Sequence, residues 1–291
     1  MAEQDPLSIV LDLLNVERLE VDLFRGISPD ETSQRVFGGQ VIGQAMMAAY
    51  QTVDGDRPCH SMHAYFIRPG DPTVPIIYQV DHSRDGRSFT TRRVVAIQHG
   101  RQIFNFSASF QVLEEGWNHQ ADMPDVPGPD GLKSRLDLRK EAAHLFPEPM
   151  RRQMTRARAI EMRPVDPSDF INPQPMPARN HIWFKATRAF EGSPAVHQCL
   201  MAYASDMSLL DSGTRPHAVS WHTGKAMMAS LDHAMWFHTP ARADEWLLYA
   251  QDSPHAGGAR SFNRGMIFKQ DGTLVASVAQ EGLMRPIKPK T

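Results

Sequence analysis

The chain has 291 residues, enough for two domains of ordinary size. Hydrophobic residues make up 41% and charged residues 22%, a globular balance, and the formal net charge of -2 excludes a general attraction to nucleic acid or to an anionic membrane. Cys59 and Cys199 form no CxxC pair and no disulfide framework, no apolar run is long enough for a membrane span, and the N-terminus lacks the features of a signal peptide, so a cytoplasmic protein is expected.

Asp5-Pro6 has the form of an N-cap followed by a first-turn proline, which predicts a short helix to about Leu14. Leu19, Val21 and Leu23 alternate with charged residues and predict a half-buried strand. Gly38-Gly39 then opens a segment in which Val41-Ile42, Ala45-Met46 and Ala49 recur at helical spacing. Few charges interrupt it, so a helix of about four turns, buried round most of its circumference, is expected. Four strands are predicted next, over Cys59 to Ile67, Ile76 to His82, Phe89 to Ile97 and Gln102 to Gln111. Arg84-Asp85-Gly86 and His99-Gly100 have the composition of hairpin turns.

The middle of the chain differs. Between Pro124 and Pro177 lie ten of the 22 prolines, with two basic amphipathic stretches, Gly131 to Phe146 and Pro149 to Ala159, as candidate helices. Such a break marks a boundary between patterned regions, and the tract is a candidate lid or subunit contact. The last third then repeats the first. A helix is predicted over Pro194 to Leu210, and strands over Met228 to Phe237, Glu245 to Gln251, Ala259 to Lys269 and Leu274 to Leu283. His63-Ala64-Tyr65-Phe66 is echoed by His233-Ala234-Met235-Trp236-Phe237, Arg87-Ser88-Phe89 by Arg260-Ser261-Phe262, and Gln98-His99-Gly100 by Gln270-Asp271-Gly272. The offsets of the last two pairs, 260 − 87 = 173 and 270 − 98 = 172, are nearly constant, as a tandem duplication requires. The expected architecture is α+β: a tandem (double) hotdog, each half a long central helix wrapped by an antiparallel β-sheet. Residues 1–113 form the first unit, 114–159 a proline-rich, partly helical linker, and 160–291 the second unit.

Three polar residues stand out within apolar patterns. Asp206 has Ala202, Leu209 and Leu210 as helical neighbours, so its carboxylate must find partners or turn to solvent. Gln280 shares a strand face with Leu274, Ala276 and Val278, where a buried amide needs partners at both ends. Ser230 lies outside any G-x-S-x-G elbow, which argues against an acyl-enzyme serine. The Gly38-Gly39 pair either lets the chain turn or offers backbone N–H groups to a developing oxyanion. His60 and His63 point to opposite faces of a strand and no third ligand completes a set, so no metal is expected. His60 either hydrogen-bonds near a substrate or simply ends a strand. Arg84, Arg87, Arg92 and Arg93 are either a solvated basic edge or a phosphate contact.

Several motifs taken together are identified with a known family. Gln34-Arg35-Val36-Phe37-Gly38-Gly39-Gln40, His63 through Gly70, Tyr203-Ala204-Ser205-Asp206, Leu231 through His238 and Gln280-Glu281-Gly282 resemble the acyl-CoA thioesterase II family. The resemblance runs from about Leu11 to Arg285 and departs only in the proline-rich middle. It implies a double hotdog that hydrolyses fatty acyl-CoA to free fatty acid and CoA, with no metal or redox cofactor. It also implies a catalytic trio at Asp206, Ser230 and Gln280, the middle position often being Thr in bacterial members. The expected mechanism is direct attack of a water oriented by the trio, with weaker substrate contacts at Gly38, Gly39 and His60. A homodimer or homotetramer is expected, since hotdog proteins tend to assemble. Two rivals stand beside this reading. A hotdog hydratase would need a histidine beside the Asp, and Met207 to Leu210 holds none, although His233 could approach in space. An acyl-CoA binding module would keep the fold without the rate.

Overall fold

A computed structural model describes residues 4–29, 35–221 and 223–287. Gln34 and the last four residues, 288–291, therefore lie outside the described residues. Helix α1 (Pro6–Leu14) begins as expected, with Asp5 accepting from the Ser8 N–H at 3.1 Å and Pro6 in the first turn. Next, the expected strand across Leu19 to Leu23 is instead a hairpin. Strands β1 (Glu17–Glu20) and β2 (Leu23–Gly26) are joined through Asp22, whose φ is 60°. Leu19 and Val21 remain exposed, and Phe24 carries the burial. The alternation of apolar and charged residues ran straight through a turn whose positive φ Asp tolerates.

Helix α2 (Gly38–Tyr50) is buried on nearly every face, as its lack of charge requires. Strands β3 (Cys59–Phe66), β4 (Ile76–Asp85), β5 (Phe89–Gln98) and β6 (Arg101–Gln111) follow. The proline-rich tract contributes α3 (Arg135–Ala142) and α4 (Glu148–Thr155), then β7 (Ile160–Pro164) and β8 (Arg179–Ala186). Helix α5 (Pro194–Ser205) ends earlier than predicted and is followed by the single turn α6 (Asp211–Thr214). The strand predicted over Met228 to Phe237 is split into β9 (Ala226–Ser230) and β10 (Asp232–Phe237). The last three strands are β11 (Leu247–Gly257), β12 (Arg260–Lys269) and β13 (Leu274–Pro286).

All main-path strands form one antiparallel sheet in the order β1-β2-β4-β5-β6-β3-β10-β13-β12-β11-β8-β7, with β9 paired to β13 beside this path. The order reads as a duplication. Outward from the centre, β3, β6, β5, β4 and β2 are matched by β10, β13, β12, β11 and β8. The halves join where β3 pairs with β10, His63 opposite Ala234 and Ala64 opposite His233. The two echoed His-Ala motifs thus face each other across a pseudo-twofold axis, and neither half leaves its central edge open.

Helices α2 and α5 lie against each other inside this sheet, antiparallel. Gly39 meets the chain at Tyr203 and Gly43 meets it at Cys199. A Cβ at Gly39 would stand 2.3 Å from the Tyr203 carbonyl oxygen, so only glycine permits this approach. The linker is no loose tether. Trp183, Leu248 and Phe268 form a small second core on the outer sheet face, covered by Met123, Val126 and Leu132. Trp183 Nε1 donates to the Pro127 carbonyl at 2.8 Å, and Gln120 Nε2 donates to the Gly272 carbonyl at 2.8 Å. Among the described residues no helix is long and apolar enough to cross a membrane.

Candidate active site

The site forms where the C-terminus of α5 meets the N-terminus of α2. Asp206 is not on the face of α5, as the apolar stripe suggested, but is its C-cap. A carboxylate is poorly placed at the negative end of a helix dipole. Here the opposing N-terminus of α2 compensates, with the Gly39 N–H directed at the carboxylate. Gly38 supplies the room, because a Cβ there would stand 2.6 Å from Asp206 Oδ2. Phe37 gives α2 no side-chain cap, and among the described residues the Gly38 N–H has no internal acceptor.

Strand irregularity delivers the other two members. Ser230 pairs with Gly282 in β9, whereas Ala234 pairs with Ala279 in β10, so the register slips by one residue at Leu231. Asp232 Oδ1 pins this bulge by accepting from the Glu281 N–H at 2.7 Å. Gln280 is then the diagonal neighbour of Ser230 on the same sheet face. Ser230 Oγ donates to Asp206 Oδ1 at 3.1 Å and Gln280 Nε2 donates to the same oxygen at 2.7 Å. Burial pushes the Asp206 pKa up to about 6, opposed by the bonds from Gln280, Ser230 and the Gly39 N–H.

Asp206 and Ser230 open onto a cavity of about 630 Å³ whose apolar wall includes Phe66, Ile103, Phe104 and Leu210. Gln280 does not line it. Gln280 is fully buried behind Asp206, and its Oε1 faces His233 Nδ1. His233 completes the layer, its Nε2 lying 2.9 Å from Ser205 Oγ. Among the described residues neither His233 Nδ1 nor Gln280 Oε1 makes a hydrogen bond of normal geometry. Ser205 Oγ also lies 2.8 Å from the Ala202 carbonyl and has one proton for the two acceptors. With that proton on Nε2, Nδ1–H is turned to Oε1 and the Gln280 NH2 is left for Asp206. Burial holds the His233 pKa down to about 4, so the ring is neutral near pH 7. It does not reach the cavity, which removes the acid–base partner that a hydratase would need.

His60, by contrast, is not brought to this group. It lies near the start of β3, packed edge-on against Phe89 at 5.6 Å between ring centres. Phe66, whose ring touches the site, is six residues further along β3, roughly 20 Å by strand rise. Arg92 is a buried structural group rather than a ligand contact, paired with Asp85 at 2.7 Å and bonded to Thr52 at 2.9 Å. Met228 lines the cavity, while Met46 fills the core. Among the described residues no three His, Cys, Asp or Glu side chains cluster closely enough to hold a metal ion. The sequence raised His233 only as a hydratase partner, not as part of the layer behind Asp206, and gave no sign of the α3 arginines in the cavity wall. The His233 signal was present, as a histidine in an otherwise apolar strand echoed at His63.

Comparisons with known proteins give the family and the fold. Residues 28–111 match the family described as acyl-CoA thioesterase N-terminal domain, and residues 153–283 the family described as acyl-CoA thioesterase. Acyl-coenzyme A thioesterase 8 of Homo sapiens is 41% identical over 290 residues, covering 97% of this chain and 90% of that protein. Acyl-CoA thioesterase 2 of Haemophilus influenzae is 39% identical over 281 residues, covering 97% and 98%. Among solved structures, an acyl-CoA thioesterase II of Mycobacterium marinum superposes with a TM-score of 0.80 at 41% identity, covering 97% of this chain and 100% of that one. A hotdog-fold protein of Alicyclobacillus acidocaldarius, 18% identical, superposes with a TM-score of 0.75 over 96% of this chain and 99% of that one, which establishes the fold alone.

Proposed function

The chain belongs to the acyl-CoA thioesterase family, and from that premise we propose that Asp206 is the base that activates the hydrolytic water. The protein is a thioester hydrolase that converts acyl-CoA to free acid and CoA by attack of an oriented water. The observation that carries the residue assignment is the grip of Ser230 and Gln280 on one oxygen of Asp206, at the floor of a partly apolar cavity.

Ser230 donates its proton to Asp206, so its lone pairs are free to accept from the water. Gln280 stands behind and acts through Asp206, as a positioning residue. Asp206 takes one proton from the water, and the hydroxide equivalent adds to the thioester carbon. The oxyanion is met by the first-turn amide of Gly38, since the Gly39 N–H is committed to Asp206. Collapse of the tetrahedral species breaks the C–S bond. The departing thiolate takes the proton back from Asp206, giving acid, thiol and an ionised base. A base with a pKa near 6 is mostly ionised at pH 7 yet still basic enough to accept the proton. The acyl chain lies along the apolar wall of the same cavity.

The experiment is thiol release from palmitoyl-CoA by the wild type and by Asp206→Asn. A wild-type rate that falls at least about a hundredfold in the variant is expected. An unchanged rate would remove Asp206 from the mechanism, and no release from the wild type with any chain length would remove the reaction itself. The same reading treats 1–113 and 160–291 as two hotdog units in a cytoplasmic homodimer or homotetramer. Two free cysteines, Cys59 and Cys199, and the exposed Leu113 and Trp117 support the compartment and the assembly. Sedimentation of the full chain tests the second.

A further inference from the structure

A second cavity, of about 510 Å³, adjoins the first between α1, the start of α2, the linker helices and β7. Phe37, Arg135, Arg139 and Met207 line both. The second cavity carries four guanidinium groups, from Arg135, Arg139, Arg156 and Arg158, against one carboxylate among the described lining residues, Glu161. Glu161 is already engaged by Arg163 at 2.8 Å. Arg135 is engaged by Asp211 at 2.9 Å.

Arg139 and Arg158 are left over. Their Nε groups are buried and have no acceptor among the described residues. Arg158 reaches the Gln153 carbonyl at 3.2 Å, and Arg139 makes no ion pair among the described residues. Burial, with Arg135 and Arg158 close by, holds the Arg139 pKa down to about 10. Among the described residues Asp211 is the one carboxylate that offsets the Arg139 charge, and it is already shared with Arg135. Holding several partly buried guanidinium groups against so little opposite charge is costly. An anion with several acceptor oxygens removes that cost, and the planar guanidinium fork matches phosphate oxygens.

We propose that this second cavity holds the phosphate-bearing nucleotide end of CoA, with Arg139 and Arg158 on its phosphates and the thioester reaching Asp206 in the first cavity. The proposal rests on the thioesterase reading. It gives α3 a task beyond covering the sheet: the linker supplies the cationic wall, and the two hotdog units supply the chemistry. Apolar residues of the same cavity, among them Ile9, Val10, Ile160 and Met162, leave a surface suited to a flat nucleobase.

The test compares two substrates of the full-length protein, palmitoyl-CoA and the palmitoyl thioester of N-acetylcysteamine, which has no phosphate. In the wild type, kcat/KM should strongly favour the CoA thioester. In Arg139→Ala/Arg158→Ala that preference should fall roughly ten- to hundredfold, the range for lost hydrogen bonds to charged groups, through KM for palmitoyl-CoA. A preference that survives the double substitution overturns the subsite. So does an equal loss on both thioesters, which would indicate a damaged fold or site. The single variant Arg139→Gln keeps the helix intact and should show part of the same loss. Calorimetric titration with free CoA separates the two readings: CoA binding lost in the double variant supports the subsite even if neither thioester is hydrolysed, and equal CoA binding in both proteins refutes it.

Discussion

The two ends of the α2–α5 helix pair are related by the pseudo-twofold axis, yet only one of them presents a carboxylate to a cavity. The motif offset, 233 − 63 = 170, carries Ser230 onto His60. The C-cap Asp206 of α5 corresponds to the C-cap Gln51 of α2. At the first end a carboxylate and a hydroxyl open onto a cavity, with an amide bonded to the carboxylate from behind. At the second the equivalent space is closed by structural bonds. Tyr50 Oη and Gln198 Oε1 are hydrogen-bonded, the Cys59 N–H donates to Tyr50 Oη at 2.7 Å, and Gln198 Nε2 donates to the Cys59 carbonyl at 3.0 Å. Gln51 Nε2 donates to the Val16 carbonyl at 3.0 Å. Duplication made two equivalent helix ends, and a neutral amide in place of a carboxylate at one of them separates the proposed catalytic site from a packing joint. His60 tempts as a site residue because it occupies the dyad-related position of one.

That asymmetry is sharpest in its largest expected effect. Asp206→Asn should lower the rate at least about a hundredfold, whereas Gln51→Ala should change kcat less than about twofold; similar losses at both ends would mean that the second end is not vacant. In the wild type the rate should rise with pH and level off above about 6, the Asp206 value, since only the ionised carboxylate accepts a proton. A profile flat through pH 6 contradicts the assignment.

The next effect lies behind the carboxylate. His233→Leu strands the Gln280 carbonyl oxygen and should lower kcat about tenfold with KM unmoved, the scale of one lost buried bond. His233→Asn, which keeps an N–H near the Nδ1 position, should recover most of the rate. In a Gln280→Ala background His233→Leu should add nothing; an additive loss would show that the histidine acts by another route.

Stability supplies a third contrast. A carboxylate whose folded pKa is raised stabilises the fold below its unfolded value and loses that contribution as pH rises through about 6. At pH 7 Asp206→Asn should therefore raise the melting temperature, by about 2–4 °C for a gain on the order of 1 kcal/mol. His233 has the opposite sign. Its folded pKa is depressed to about 4, so its contribution is present above about pH 6.5 and is lost as pH falls toward 4. Melting curves of the two variants across that range should separate the contributions. The smallest effect belongs to the vacated end: His60→Ala should leave kcat/KM within about twofold, and a tenfold loss would return His60 to the site.

Much of this was legible in the residues. Helix α2 announced itself through uncharged helical periodicity, the meanders through alternation and turn chemistry, and the duplication through repeated motifs at a nearly constant offset. The trio came from motif resemblance; the bonds of Ser230 and Gln280 to one oxygen of Asp206 are a feature of the tertiary structure. Other features were not legible. The alternation at Leu19 to Leu23 could not reveal a turn, because a hairpin and a strand share the same local pattern until a partner strand is chosen. The end of α5 at Ser205 was hidden by the apolar residues beyond it, which are buried by tertiary contact rather than by helical continuation.

By itself, then, the sequence determined what depends on local periodicity and residue chemistry: the element types, their duplication and the polar residues out of place among apolar ones. Tertiary structure decided what depends on long-range register. A one-residue slip at Leu231 aims Ser230 at Asp206, the crossing at Gly39 brings one helix terminus to another, and the sheet order sets Gln280 behind the carboxylate and His60 some 20 Å along β3 from Phe66. Periodicity specifies which face of an element is apolar. Which end of it meets a partner, and which polar group waits there, is fixed only when strands choose neighbours and helices choose a crossing point.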